Sequence, residues 1–284
     1  MIKEIPRCKN ILLREEFFRL KGIHDKNPWL AYENVLGLYE LWGLADTDSQ
    51  KELLEFLIAN FSYVDSDGVR NACKAIANQI EEVWKLLPED TIITAICDNS
   101  DPDGSQYLIQ AMKNKFSANW RNSFFNAITN AVHEVNGQSN IVIIDDFIGT
   151  GRTVARKVKF LANTLAKLGK YGVSFYVCSL AAMNFSRETV GNVVEESYSY
   201  MYLSKGITEL APSSKQTLYA YDMLVLEGHL HWSRNKRRRY SFGYEKSEAL
   251  FSLESTNVPN NVFPIFWWPL LKPGVERSTI LRRL

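Results

Sequence analysis

The sequence lacks most of the features that would place it quickly. It has four cysteines in 284 residues, Cys8, Cys73, Cys97 and Cys178, and no two of them form a CxxC pair. That scatter suggests neither a disulfide framework nor a zinc site, and reads as buried thiols in a reducing cytoplasm. His229 and His231 have no acids at metal-ligand spacing around them, so they suggest no metal site either. No apolar run approaches the ~20 residues of a membrane-crossing helix. The opening MIKEIPRCKN has no signal-peptide core. Charge bias is missing too: 33 basic side chains face 32 acidic ones, for a net +1. That balance gives no general attraction to nucleic acid or membrane. There is no Gly-x4-Gly-Lys-Ser/Thr loop, which excludes a P-loop nucleotide site. What is left is a globular composition, 46% hydrophobic, long enough for one large or two modest domains.

One stretch carries most of the information: Ile141–Val154, IVIIDDFIGTGRTV. Four apolar, mostly β-branched residues run into two adjacent carboxylates, Asp145 and Asp146, as a buried parallel strand does at its end. A short turn follows. From Thr153 the apolar residues Val154, Val158, Leu161, Leu165 and Leu168 recur at helical spacing, and Gly169 closes the pattern. The acids and the turn therefore sit at the carboxyl end of a strand and the amino end of a helix, where open α/β sheets bind ligands.

The turn has the chemistry of a phosphate site. Free amides at a helix start favour a dianion. Gly149 and Gly151 let backbone approach it, Thr150 and Thr153 offer hydroxyls, and Arg152 offers a charge-assisted bond. Two carboxylates one turn away suit vicinal hydroxyls or a hydrated Mg2+. A phosphate and a diol a few ångströms apart describe a ribose 5-phosphate.

Those positions resemble the signature of the type I phosphoribosyltransferases: four apolar residues, two acids, and a loop ending Thr-Gly-x-Thr. The resemblance implies that Asp145 and Asp146 hold the ribose hydroxyls of phosphoribosyl pyrophosphate, with Mg2+ as cofactor. It implies that Ile148, Gly149, Thr150, Gly151, Arg152 and Thr153 hold its 5-phosphate. In many members the residue before Thr-Gly-x-Thr is an acid that helps move a proton; here it is Gly149.

The flanking sequence reads in two parts, a helical region over 1–88 and a phosphoribosyltransferase-like domain with a C-terminal extension over 89–284. The first predicts a helix from Trp29 to Trp42 behind Asn27-Pro28. A second opens at the capping box Ser49-Gln50-Lys51-Glu52. A third is capped by Asp67, has Val69, Cys73, Ile76, Ile80, Val83 and Leu87 on one face, and ends at Pro88. Thr91–Ile96 is a strand. The loop after it, with Asp98, Ser100, Asp101, Asp103, Gly104 and Ser105, corresponds to the family's pyrophosphate loop, but it is acidic and carries no basic residue. It needs Mg2+ to bridge a pyrophosphate; the other reading is a solvated turn. Gln110 stands where the bidentate Glu of an EF-hand would be, which disfavours calcium. Residues 124–135 fit a helix, or a strand and turn. Strands over 173–182 and 197–203 and helices over 186–193 and 213–228 extend the strand–helix alternation of a parallel sheet.

Two C-terminal features stand apart. Arg234–Arg239, RNKRRR, is either a solvated loop or an anion clamp in which Arg237, Arg238 and Arg239 hold pyrophosphate, a nucleotide or a nucleic-acid strand. Then come Gly243-Tyr244, Ala249-Leu250-Phe251, Pro259-Asn260-Asn261 and the Trp-containing run Pro264–Pro269. That series resembles a bacterial phosphoribosyltransferase-like family of conflict, or phage-defence, gene clusters. Pro259-Asn260-Asn261 reads equally as a local turn and as a substrate contact. The whole predicts an α/β fold, a parallel sheet of about five strands flanked by helices, with a helical N-terminal region. The expected function is binding of phosphoribosyl pyrophosphate or a nucleotide in an anti-phage system. The alternative is a non-catalytic module that senses such a ligand or holds a partner from the same operon. A homodimer fits either.

Overall fold

A computed structural model describes residues 14–98, 104–137 and 139–283. The N-terminal helices are α1 (Arg14–Lys26), α2 (Val35–Trp42) and α3 (Asp48–Ala59). The expected single helix from Trp29 to Trp42 is broken: Pro28–Tyr32 is a 3-10 turn. There Trp29 turns inward to stack on Phe61 and Tyr63, with ring centroids 4.9 and 5.5 Å away. Asn27 caps nothing ahead of it; its Nδ2 donates back to the Ile23 carbonyl at 2.7 Å. The cap of α3 is Thr47, whose hydroxyl accepts from the Gln50 N–H at 3.3 Å, two residues earlier than expected. Ser49 lies inside the helix and its Oγ donates to Asp222 at 2.5 Å.

A short strand, β1 (Ser62–Val64), precedes α4 (Ser66–Asn78), which is capped by Asp65 rather than Asp67. Asp67 lies in its first turn and pairs with Arg70 at 3.0 Å. Val69, Cys73, Ile76 and Ile80 are buried as the periodicity requires, but Val83 and Leu87 are exposed. The π turn Gln79–Val83 takes Val83 out of register, and the helix ends there rather than at Pro88, with Lys85 at φ 53°, so Leu87 lies beyond it.

The sheet holds β2 (Thr91–Ala95), β3 (Phe124–Phe125), β4 (Asn140–Ile148), β5 (Ser174–Met183) and β6 (Glu196–Leu203), all parallel, in the order β3-β2-β4-β5-β6. The linking helices are α5 (Gly104–Met112), α6 (Ile128–Glu134), α7 (Arg152–Lys167) and α8 (Ser186–Gly191). Residues 124–135 thus contain both of the expected alternatives, a two-residue strand and a short helix. The apolar run of β4 is buried and serves two cores. Ile141 and Ile143 face the layer of α6 and α7, with Val132, Val158 and Leu161. Val142 and Ile144 face the other layer, with Ile76 of α4 and Leu108 of α5.

After β6 come α9 (Ser213–Gly228), α10 (Arg234–Tyr240), β7 (Phe251–Leu253) and the antiparallel pair β8 (Leu270–Leu271) and β9 (Val275–Glu276). RNKRRR is therefore a helix and not a loop; Ser233 caps it, and its basic side chains are exposed. β7 pairs in parallel with β1, joining the C-terminal segment to the N-terminal region. Both share one core with a face of the sheet. Cys73, Cys97 and Cys178 are buried thiols; Cys8 lies outside the described residues. No described helix is long and apolar enough to cross a membrane.

Candidate functional site

The strand order reverses between β2 and β4. From β2 the chain moves outward to β3; from β4 it moves the other way, to β5 and β6. Such a switch point opens a crevice beyond the strand carboxyl ends. Here the two strands also differ in length. β2 pairs with β4 only as far as Ala95 opposite Ile144, whereas β4 continues along β5 to Ile148. The strand therefore does not stop at the acidic pair, as its sequence suggests. Asp145 and Asp146 lie on the part of β4 that outruns β2.

Asp145 is buried and Asp146 half-buried. Asp146 packs against the first residue of α5, so closely that a Cβ on Gly104 would lie 2.1 Å from its Oδ2. The start of α5 and the acidic strand end are thus in contact. Asp98 points elsewhere: it pairs with Lys157 of α7 at 2.5 Å. Ser105 is buried inside α5. Ser100, Asp101 and Asp103 lie outside the described residues.

Beyond Ile148 the chain turns into α7. Gly151, at φ +75°, is the N-cap, a left-handed conformation that a side chain would strain. The first amides of α7 have no intrahelical acceptors, and Thr150, Arg152 and Thr153 surround them. Arg152 is ion-paired with Glu245, on the segment after α10. That segment is unusual: Phe242, Glu245, Lys246 and Glu248 all have φ between 50° and 61°. Each such residue costs on the order of 1–3 kcal/mol and needs its surroundings to hold it. Two buried carboxylates do so. Glu227 of α9 accepts from Ser241 Oγ and from the Phe242 N–H at 2.8 Å. Glu248 accepts from the Ile207 and Thr208 amides, both at 2.8 Å. Burial pushes the Glu227 carboxyl up to about 7, against the lowering effect of Ser241, Phe242 and Arg237.

The C-terminal segment forms the opposite wall. The Tyr244 N–H donates to the Asn260 carbonyl at 2.8 Å, and the Ala249 N–H donates to that of Asn261 at 3.1 Å. Phe147 of β4 stacks on Phe251 of β7, with centroids 4.9 Å apart. The result is a cleft of about 860 Å³. It is lined by Asp145, Asp146, Ile148, the turn Gly149–Thr153, Gly104, Tyr107, Arg156, Arg239, Tyr244, Pro259-Asn260-Asn261 and Arg283. Of the basic cluster, Arg239 reaches the cleft; Arg237 and Arg238 are exposed and are not among its lining residues. Tyr107, Arg156 and Arg283 escape the sequence reading. Arg156 was findable, because it stands one helical turn after Arg152 on α7.

A doubly wound parallel sheet with a glycine- and threonine-bearing turn beside an acidic strand end at its switch point is the layout of a phosphoribosyltransferase-like domain. The chain belongs to the PRTase-CE family, whose sequence model matches residues 45–273. Among solved structures, a hypothetical protein from Neisseria gonorrhoeae with bound ppGpp is similar over 51% of this chain and 85% of its own, at 12% identity and a TM-score of 0.35. No curated protein matches the chain.

Proposed function

We propose that the cleft binds a ribose 5-phosphate ligand, phosphoribosyl pyrophosphate or a nucleotide. The 5-phosphate takes the amides and hydroxyls of Gly149–Thr153. The ribose hydroxyls donate to Asp145 and Asp146. The observation that carries this reading is the position of both groups on one cleft at the switch point of the sheet.

The donor set fits Mg2+ as a companion of the ligand. Among the described residues no cluster of three or more Asp, Glu, His or Cys side chains could hold a metal alone. Two adjacent carboxylates suit a hydrated Mg2+ that is completed by water and phosphate oxygens. Bound there, Mg2+ would supply charge neutralisation to a departing pyrophosphate. The chain's own residues position the ribose so that a nitrogen nucleophile can attack its anomeric carbon as the bond to pyrophosphate oxygen breaks.

A second reading rests on a specific observation, the filling of the space beside Gly149 by the Asn261 side chain. No acid stands there to handle a proton. This favours a module that senses the ligand, or holds a partner, within a bacterial anti-phage complex; the C-terminal motif series supports that setting. Buried thiols support a cytoplasmic one. Calorimetry with phosphoribosyl pyrophosphate, with and without Mg2+, tests the shared premise. Saturable binding is expected, and its absence under both conditions overturns the enzyme and the ligand sensor alike, leaving only a partner-holding module. Pyrophosphate release on adding bases then separates enzyme from sensor.

A further inference from the structure

The ligand's second anionic group has no cationic partner on the described part of the β2 side of the cleft. Asp98 there is already paired with Lys157. Asp145 and Asp146 repel a further phosphate. Of the four arginines that line the cleft, Arg152 is paired with Glu245 and Arg156 stands on α7; the other two, Arg239 and Arg283, lie on the wall built by the C-terminal segment.

Arg239 projects from α10 with its guanidinium 5.5 Å from the Tyr240 ring centre and 5.2 Å from that of Tyr244. Tyr240 meets Trp267 edge to face, with centroids 6.2 Å apart. Arg283 lies over the same Trp267, 5.6 Å from its centre. Arg283 is also held by the backbone: the Val258 N–H donates to the Arg282 carbonyl at 3.0 Å, and Arg283 Nη1 donates to the Val258 carbonyl. Two arginines thus share one aromatic pair and line one cleft. Neither has an ion-pair partner among the described residues. Arg283 Nη1 is engaged by the Val258 carbonyl and its Nη2 remains for an anion; a guanidinium held against aromatic rings directs its remaining N–H groups outward to phosphate.

We propose that Arg239 and Arg283 form a second anion subsite across the cleft from the Gly149–Thr153 turn, so that the protein selects a ribose 5-phosphate carrying a further phosphate or diphosphate over the bare monophosphate. This rests on the ribose 5-phosphate reading of the cleft and assigns the second group to the C-terminal wall. It also places one of the two arginines, Arg283, outside the residues that the family model matches.

The test is calorimetry on the full chain in Mg2+-free buffer, with phosphoribosyl pyrophosphate and ribose 5-phosphate as separate probes. The variants are R239S/R283S and R239K/R283K. In the serine pair, affinity for phosphoribosyl pyrophosphate should fall at least tenfold while that for ribose 5-phosphate stays within about twofold, since charged hydrogen bonds to one group only are removed. The lysine pair keeps the charge and loses the fork, so it should lose several-fold on the first probe and nothing on the second. If the serine pair does not fold, the lysine pair decides on the same criterion. Unchanged affinity for phosphoribosyl pyrophosphate, or an equal loss for both probes, overturns the subsite. A wild-type chain that binds neither probe overturns the reading of the cleft itself, and the subsite with it.

Discussion

The side-chain amide of Asn261 lies against the α-carbon of Gly149: a Cβ built on Gly149 would stand 2.3 Å from Asn261 Nδ2 and 2.5 Å from Oδ1. The amide is fixed there, because Nδ2 donates to Ser247 Oγ at 2.7 Å and the Asn261 carbonyl abuts Gly243. Gly149 is therefore required by close packing. Gly149→Ala should destabilise the fold by about 1–3 kcal/mol, the usual cost of overpacking. Adding Asn261→Gly should recover most of that loss, since the two sites are in contact. Thermal unfolding of the two single variants and the double variant checks this; strictly additive effects would show that the residues do not interact.

Replacing Asp145 and Asp146 together by Asn keeps their size and removes their charge. Hydrogen bonds to charged groups contribute roughly 1.5–3 kcal/mol each. Affinity for phosphoribosyl pyrophosphate should therefore fall several-fold or more in a variant whose circular dichroism is unchanged. Equal affinity in the folded double variant would remove these residues from the ribose site.

The placement of the acids and the turn between β4 and α7 was legible because it is contiguous: strand, acids, glycines and threonines occupy one run of residues, and local geometry sets their relation. The parallel sheet was legible for the same reason, from β-branched runs alternating with helical periods. The opposite wall was not. Arg283, Tyr244 and Asn261 reach the cleft through contacts that span the chain, such as the pairing of β1 with β7 and the return of Arg282 to Val258. No short-range period encodes those. The helix starts were misplaced by two residues because Ser49 and Asp67 have cap chemistry but face other partners, Asp222 and Arg70.

Arg152 is ion-paired with Glu245, and in the proposed reading a bound phosphate would compete for its charge. Its side chain is 69% exposed, so the pair contributes little to stability. Glu245→Gln should free Arg152 and tighten phosphate-ligand binding by up to about fivefold at low salt, with the gain shrinking at high salt. Calorimetry at two ionic strengths measures it. Weaker binding in E245Q would show that the glutamate orients Arg152 rather than competing for it.

Glu227 makes stability depend on pH. Its carboxyl titrates at about 7 in the fold, raised chiefly by burial, and near 4.3 in an unfolded chain. Between those values the native state holds a proton that the unfolded state has lost. The stabilisation is complete below about pH 4.3 and is lost as pH rises through 7, a change on the order of 3 kcal/mol. Gln at 227 can still accept from Phe242 and face Ser241 without charge. The melting temperature of the wild type should therefore fall from pH 5 to pH 8 more steeply than that of Glu227→Gln. Parallel curves would assign the pH dependence to other groups.

General acid–base help contributes about 100- to 10,000-fold in rate. The position before Thr150-Gly151-Arg152-Thr153 carries no side chain, and Asn261 fills the space beside it with an amide that cannot exchange a proton at neutral pH. The threonine hydroxyls of the turn are too weakly acidic to replace a carboxylic acid. Positioning and charge stabilisation remain available to a nucleophile that needs no proton removed. Transfer to free purine or pyrimidine bases should therefore be slow or undetectable even where phosphoribosyl pyrophosphate binds. Following pyrophosphate after mixing the protein with Mg2+, phosphoribosyl pyrophosphate and the common bases measures it. Turnover near ~10 per second, the ordinary enzyme median, would sink the idea and make a plain base transferase the better description.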